Sequence, residues 1–181
     1  MLDTLITSKT RIKLMLKFFL NSNSSSYLRG LETEFGESTN AIRLELNRFE
    51  EAGLLASVLK SNKKMYKANT RHPLFRDIHS ILRKYMGIDE IVDSVIEKIG
   101  DVKEVYLTGD IAKGIDCQII DLLIVSDELD KNFLIKLIDK AERLITRKIR
   151  YVIMSFSEVR GYLAILDSSE YLLIWKAEGL K

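Results

Sequence analysis

The chain has 181 residues, 46% of them hydrophobic and 30% charged, which allows two small soluble domains or one of ordinary size. No apolar run reaches the 18 or more residues of a membrane span, and the polar TSKTRIK segment after Asp3 argues against a secretory signal, so a cytoplasmic protein with no membrane partner is expected. Cys117, the single cysteine, excludes an internal disulfide framework, and the net charge of +2 conceals a division: residues 1–87 carry a balance of +7 and residues 88–181 one of −5.

In chain order, Ser8 is placed to cap a helix running to Leu20, with Ile12, Met15, Leu16 and Phe19 at core-facing spacing. Asn21–Ser26 reads as a polar connector, and Tyr27–Phe35 as a short second helix or a strand-helix entry, stopped by Gly36. Ser38 opens a third helix with Ala41, Ile42, Leu46 and Phe49 turned inward, and Gly53 ends it. Leu54–Leu59 and Met65–Asn69 have β character and are joined by Lys60-Ser61-Asn62-Lys63-Lys64, a hairpin with a basic tip. Pro73 then starts a helix carrying Leu74, Ile78, Ile81, Leu82 and Tyr85. His72 and His79 read as cap and surface histidines rather than metal ligands, since no cysteine lies in this half.

Three helices and a basic hairpin, with ESTNAIRLELNRFEEAGLL before the wing and KMYKANTRHPLF after it, resemble the prokaryotic ArsR/MarR-like winged-helix transcriptional regulators. The resemblance implies an N-terminal winged helix-turn-helix domain, residues 1–87, that binds double-stranded DNA. Its third helix would enter the major groove, presenting Ser38, Thr39, Asn40, Arg43 and Asn47. Arg43 can fork onto guanine, and an asparagine can pair with adenine. Lys60, Asn62, Lys63 and Lys64 would follow phosphates and supply salt-dependent affinity. Glu37, Glu45, Glu50 and Glu51 weigh against this, because carboxylates repel phosphates. Such regulators read two-fold sites, so a homodimer is expected, with the first helix or Ile88–Ile99 as its contact surface.

The acidic half, residues 88–181, begins with an amphipathic connecting helix, 88–99, whose stripe is Ile91, Val92, Val95, Ile96 and Ile99. It packs either on the following sheet or in a dimer interface. Beyond the segment Val105–Val125 come a helix at Lys131–Thr146, a strand at Ile149–Met154, a turn and helix at Ser155–Leu166, and a last strand at Tyr171–Trp175. Alternating strands and helices indicate an α/β layer, and the whole chain is expected to be a two-domain α/β protein.

The segment VYLTGDIAKGIDCQIIDLLIV, with RKIRYVIMSFSEVRGYL after it, resembles the small, minimal nucleotidyltransferases. The resemblance implies an α+β domain with a mixed sheet, in which a Gly-Ser turn holds a triphosphate and an Asp-apolar-Asp triplet holds metal. Gly109 and Gly114 match that pattern, and Lys113 stands where arginine is common. Asp110 replaces the serine, however, and the triplet reads Ile119-Ile120-Asp121. Strand residues two apart share a face, so one carboxylate is presented where the two-ion chemistry needs carboxylates bridging ions about 4 Å apart. Asp116, in the loop, is not placed to replace the missing one. The resemblance puts Arg150 or Tyr151 at the third carboxylate's position. Asp110 would oppose a phosphate.

Gly109, Asp110, Lys113, Gly114 and Asp121 therefore read as a vestigial nucleotide pocket, with no catalytic residue, no metal and no cofactor. Cys117 is more simply a small apolar filler than a reactive thiol. The expectation is a DNA-binding transcriptional regulator, not an enzyme, whose second domain serves dimerisation or senses a small-molecule or nucleotide effector. Two alternatives stand beside it. One is an active nucleotidyltransferase of toxin–antitoxin type tethered to DNA, the other a protein-interaction adaptor.

Overall fold

The computed structural model describes residues 2–178. The chain divides into two units, one up to Tyr85 and one from Met86 onward. In the first, α1 (Leu2–Leu5) precedes α2 (Lys9–Met15), which continues through a wide π turn at Leu16–Leu20. Ser8 caps α2, its Oγ accepting the Arg11 N–H at 3.2 Å and satisfying one of the donors left open at a helix start. Strand β1 (Ser25–Tyr27), α3 (Leu28–Phe35) and α4 (Thr39–Glu51) follow. Strands β2 (Leu55–Lys60) and β3 (Lys63–Ala68) form a hairpin, and α5 (Phe75–Met86) closes the unit. Ile42, Leu46 and Phe49 of α4 are buried, as are Leu14, Phe18, Phe19 and Leu31, and α4 packs on α2 and α3. Phe19 meets Phe49 edge-on at 6.1 Å, a geometry that adds to burial.

Three local expectations are corrected here. The polar run Asn21–Ser26 holds part of β1, which pairs antiparallel with β3 and gives a sheet of order β1-β3-β2. Short, small side chains let Ser24 and Ser26 go inside. The hairpin tip is also shorter than expected. Lys60 pairs with Lys63, and only Ser61 and Asn62 turn, both at positive φ (48° and 63°), as a two-residue hairpin of right-handed twist requires. In addition, Leu74 lies outside α5 and is 53% exposed, while Ile81 is 51% exposed, so neither joins the core.

The second unit starts with α6 (Ile88–Ile91), a π turn at Val92–Ile96 and α7 (Glu97–Ile99), bounded by Gly87 and Gly100 at positive φ. Strand β4 (Glu104–Thr108), the single turn α8 (Gly109–Ala112) and β5 (Ile119–Val125) follow. Helix α9 (Lys131–Ile145), β6 (Lys148–Met154), α10 (Phe156–Ala164) and β7 (Leu172–Lys176) complete it. The stripe Ile91, Val92, Val95, Ile96 and Ile99 is buried, and the segment packs on α9. The dimer-interface option for Ile88–Ile99 is therefore corrected: the stripe belongs to this unit's own core.

The sheet is mixed, in the order β6-β5-β4-β7, with β5 and β6 parallel and β4 antiparallel to both its neighbours. Tyr106, Leu123 and Val125 form a core cluster with Val159 and Leu163 of α10 on one face. Register aligns Thr108 with Asp121 and Asp121 with Arg150, so one row of side chains crosses three strands at the end of the same face. Glu104 lies four pairs further along, 2% exposed, with the Tyr106 hydroxyl donating to its Oε2 at 2.7 Å. Burial and this carboxylate push the Tyr106 phenol well above its ordinary range. Tyr106→Phe is expected to destabilise this unit by about 1–2 kcal/mol, which denaturant unfolding would read.

Candidate functional site

Two sites emerge, one in each unit. In the first, the exposed face of α4 and the hairpin border a groove of about 710 Å³, lined by Arg43, Asn47, Asn62, Lys63 and Lys64 together with Tyr27, Arg29 and Tyr66. Five of the nine residues expected to meet DNA thus share one concave surface. The other four lie elsewhere. The Ser38 hydroxyl caps α4 by accepting the Ala41 N–H at 3.2 Å, and Thr39 is half-buried in the first turn. Asn40 accepts from Arg43 Nη1 at 3.3 Å, which steadies that guanidinium. Lys60 borders a separate hollow with Ala56, Val58 and Lys67.

Sequence reading passed over Tyr27 and Arg29, because the groove depends on β1 pairing beside the hairpin. Lys63 Nζ stands 4.3 Å from the centre of the Tyr27 ring, a cation–π contact that orders the lysine without neutralising it.

The glutamates expected to repel phosphate are mostly neutralised. Glu37 pairs with Lys13 at 2.7 Å, and Glu50 accepts from Lys64 at 2.6 Å. Glu45 is 4% exposed and receives Arg11 Nε at 2.8 Å, Arg48 Nη1 at 3.0 Å and the Ser8 hydroxyl at 3.2 Å. Burial raises its pKa, but the hydrogen bonds and charge of Arg11 prevail and hold it below its ordinary value. A depressed folded-state pKa adds stability above the unfolded value and loses it as pH falls. Glu45→Gln is accordingly expected to cost about 1–3 kcal/mol at pH 7, with the gap to wild type closing below the ordinary glutamate range. Urea unfolding at neutral and acid pH checks both statements.

The histidines serve the backbone. His72 Nδ1 accepts the Leu74 N–H at 3.2 Å, and His79 Nδ1 lies 2.7 Å from the Phe19 carbonyl.

The second site is a pocket of about 350 Å³ at the row Thr108–Asp121–Arg150. Gly109 bends there at φ 67°, and a Cβ would overlap Asp121 Oδ2 and stand 3.1 Å from its Cγ. Glycine is thus required both by the backbone and by the close carboxylate. Asp121 accepts from Arg150 through both oxygens, Nε to Oδ1 and Nη2 to Oδ2, the latter at 2.9 Å. Lys113 Nζ reaches Glu170 Oε1 at 2.8 Å. Tyr151, Tyr162 and Leu166 supply an apolar side.

Of the five expected pocket residues, Gly109, Lys113 and Asp121 line it, while Asp110 and Gly114 do not. Asp110 is exposed on α8, and Gly114 forms the following turn at φ 82°. Ile119 is 40% exposed at the start of β5. Asp116 pairs with Arg147 at 2.8 Å, away from the pocket, and the Cys117 thiol donates to the Ile119 carbonyl at 3.0 Å.

No family model and no curated protein matches the chain. Solved structures do. One is a Sulfolobus solfataricus protein assigned as a nucleotidyltransferase, 26% identical over 56% of this chain and 88% of that one, with a TM-score of 0.38. A second is a mutant of the toxin–antitoxin MntA–HpeT, 14% identical over 50% of this chain and 73% of that one, with a TM-score of 0.38. A third is a toxin–antitoxin with AMP-PNP, 15% identical over 52% and 74%, with a TM-score of 0.38. The expectation that the chain is not an enzyme is corrected on these matches, which are of a nucleotidyltransferase and of toxin–antitoxin proteins. At these scores no residue's role passes from them to this chain.

The metal ions of two-ion phosphoryl transfer can be tested against the residues present. Among the described residues no group of three His, Cys, Asp or Glu side chains could hold a metal ion. Both oxygens of Asp121 already meet a guanidinium. The pocket does not fit that arrangement of ions. What it offers a ligand is two ion pairs, Arg150 with Asp121 and Lys113 with Glu170, beside an apolar wall. Among the described residues, no helix is long and apolar enough to cross a membrane.

Proposed function

We propose that this protein is a DNA-binding winged-helix protein whose nucleotidyltransferase-like second unit takes a nucleotide. The observation that carries the first part is the groove in which Arg43 and Asn47 of α4 lie together with Lys63 and Lys64 of the hairpin. The order helix, strand, helix, helix, hairpin supports reading α4 as the recognition helix and the hairpin as the wing. Arg43 is the base-reading candidate, and the lysines are phosphate contacts. Binding as a homodimer to a two-fold site is part of the same proposal.

Anisotropy of a labelled promoter-derived duplex tests it. Arg43→Ala is expected to weaken the preferred site by about 1–3 kcal/mol and to narrow the preference over unrelated sequence. Equal affinity for wild type and variant on every duplex would overturn the reading and favour an adaptor.

A second reading, nucleotidyl transfer by the second unit, is favoured by the turn that Gly109 keeps open beside Asp121. Incubation with labelled nucleotides and Mg²⁺ or Mn²⁺, with and without DNA, tests it. A labelled macromolecular product supports transfer; labelled nucleotide recovered unchanged throughout counts against it.

A further inference from the structure

We propose that the pocket at Gly109 binds its nucleotide without a metal ion, with the Arg150 guanidinium supplying the positive charge. The inference rests on the nucleotide reading above. In the parallel pair of β5 and β6, Asp121 and Arg150 are register partners on one face, and the guanidinium closes on the carboxylate with two parallel bonds. That fork geometry belongs to arginine alone and keeps its charge at every working pH.

A divalent cation approaching Asp121 would have to displace this fork and would face its positive charge, while Glu170, the other carboxylate lining the pocket, is engaged by Lys113. The pair instead fixes Arg150 at the pocket. Nε and Nη2 are held by Asp121, which leaves Nη1 to donate to a phosphate. Lys113 is the second cation, and its partner Glu170 is an exchangeable carboxylate that a phosphate would replace. The apolar side, Tyr162 with Leu166, is large enough to cover one face of a base. A nucleotide would therefore lie with its phosphates toward Arg150 and Lys113 and its base toward Tyr162.

Titration of the full chain with a fluorescent ATP analogue, once in EDTA and once in Mg²⁺, tests the inference. Affinity is expected to agree within about threefold between the two, since the cation is part of the protein. Arg150→Ala is expected to weaken binding in EDTA by about tenfold or more, and Arg150→Lys to restore part of it, since lysine keeps the charge but not the fork. The Arg150 side chain is 69% exposed, so these variants are expected to retain the fold, which thermal unfolding checks. Tyr162→Ala, on another element, is expected to weaken binding independently. Binding that requires Mg²⁺, or that Arg150→Ala leaves unchanged, overturns the inference while the nucleotide reading stands. Absence of binding in both buffers overturns the two together.

Discussion

Raising salt from 50 to 200 mM is expected to weaken duplex DNA binding by roughly 40-fold, on a slope of about −0.9 per phosphate contact. The estimate takes Arg29, Lys63 and Lys64 as phosphate contacts and leaves Arg43 to the bases. They do not count equally. Lys64 is shared with Glu50, and DNA must compete with that carboxylate, whereas Lys63 rests on the Tyr27 ring with its charge uncompensated. Lys63→Ala is therefore expected to flatten the slope by about one unit and to weaken all sequences alike, and Lys64→Ala to do less. Anisotropy over a salt series reads both. A slope near zero would mean that no phosphates are engaged.

Gly109→Ala is expected to be among the most damaging single changes in the second unit. An L residue at φ 67° costs about 1–3 kcal/mol. The added methyl must also push Asp121 off Arg150, or the turn off the strand, so about 2–4 kcal/mol is expected in all. Nucleotide binding should fall with it, because the turn, the carboxylate and the guanidinium are one assembly. Gly161→Ala is the matched control. That glycine sits within α10 with open space around it, and alanine there should stabilise by about 0.5–1 kcal/mol. Thermal unfolding of the two variants separates a site effect from a general intolerance of change.

These effects bear on what could be read from the chain alone. Helices were legible where local chemistry decides them: Ser8 and Ser38 cap, Gly36 and Gly53 stop, and the apolar spacing of Ile42, Leu46 and Phe49 points to the core. Strand β1 was not, because Ser25 and Ser26 have no β preference of their own and are strand only through β3. Ser61 and Asn62 were absorbed into a longer tip because the register Lys60–Lys63 is a tertiary property.

The second site divides in the same way. Gly109, Lys113 and Asp121 follow from a contiguous motif. Arg150 was one of two residues that the resemblance put there, whereas Tyr162 and Glu170 come from α10 and the loop after it, and only the fold brings them to the pocket. Reading the lost carboxylate at Ile119 as loss of all activity went further than a motif allows. A missing ligand rules on one metal arrangement, not on every reaction a pocket can host. The acidic residues misled for the opposite reason. Glu45 looked like a surface charge near the groove, and it is instead a buried tie between α2 and α4.

The central claim, that duplex DNA sits on the first unit, is tested most directly by hydrogen exchange of the full chain with and without a bound duplex. Slower exchange is predicted at residues 39–47 and 55–68, which carry the groove, with residues 104–125 unchanged. Protection confined to residues 104–125, or none anywhere at saturating DNA, would contradict it.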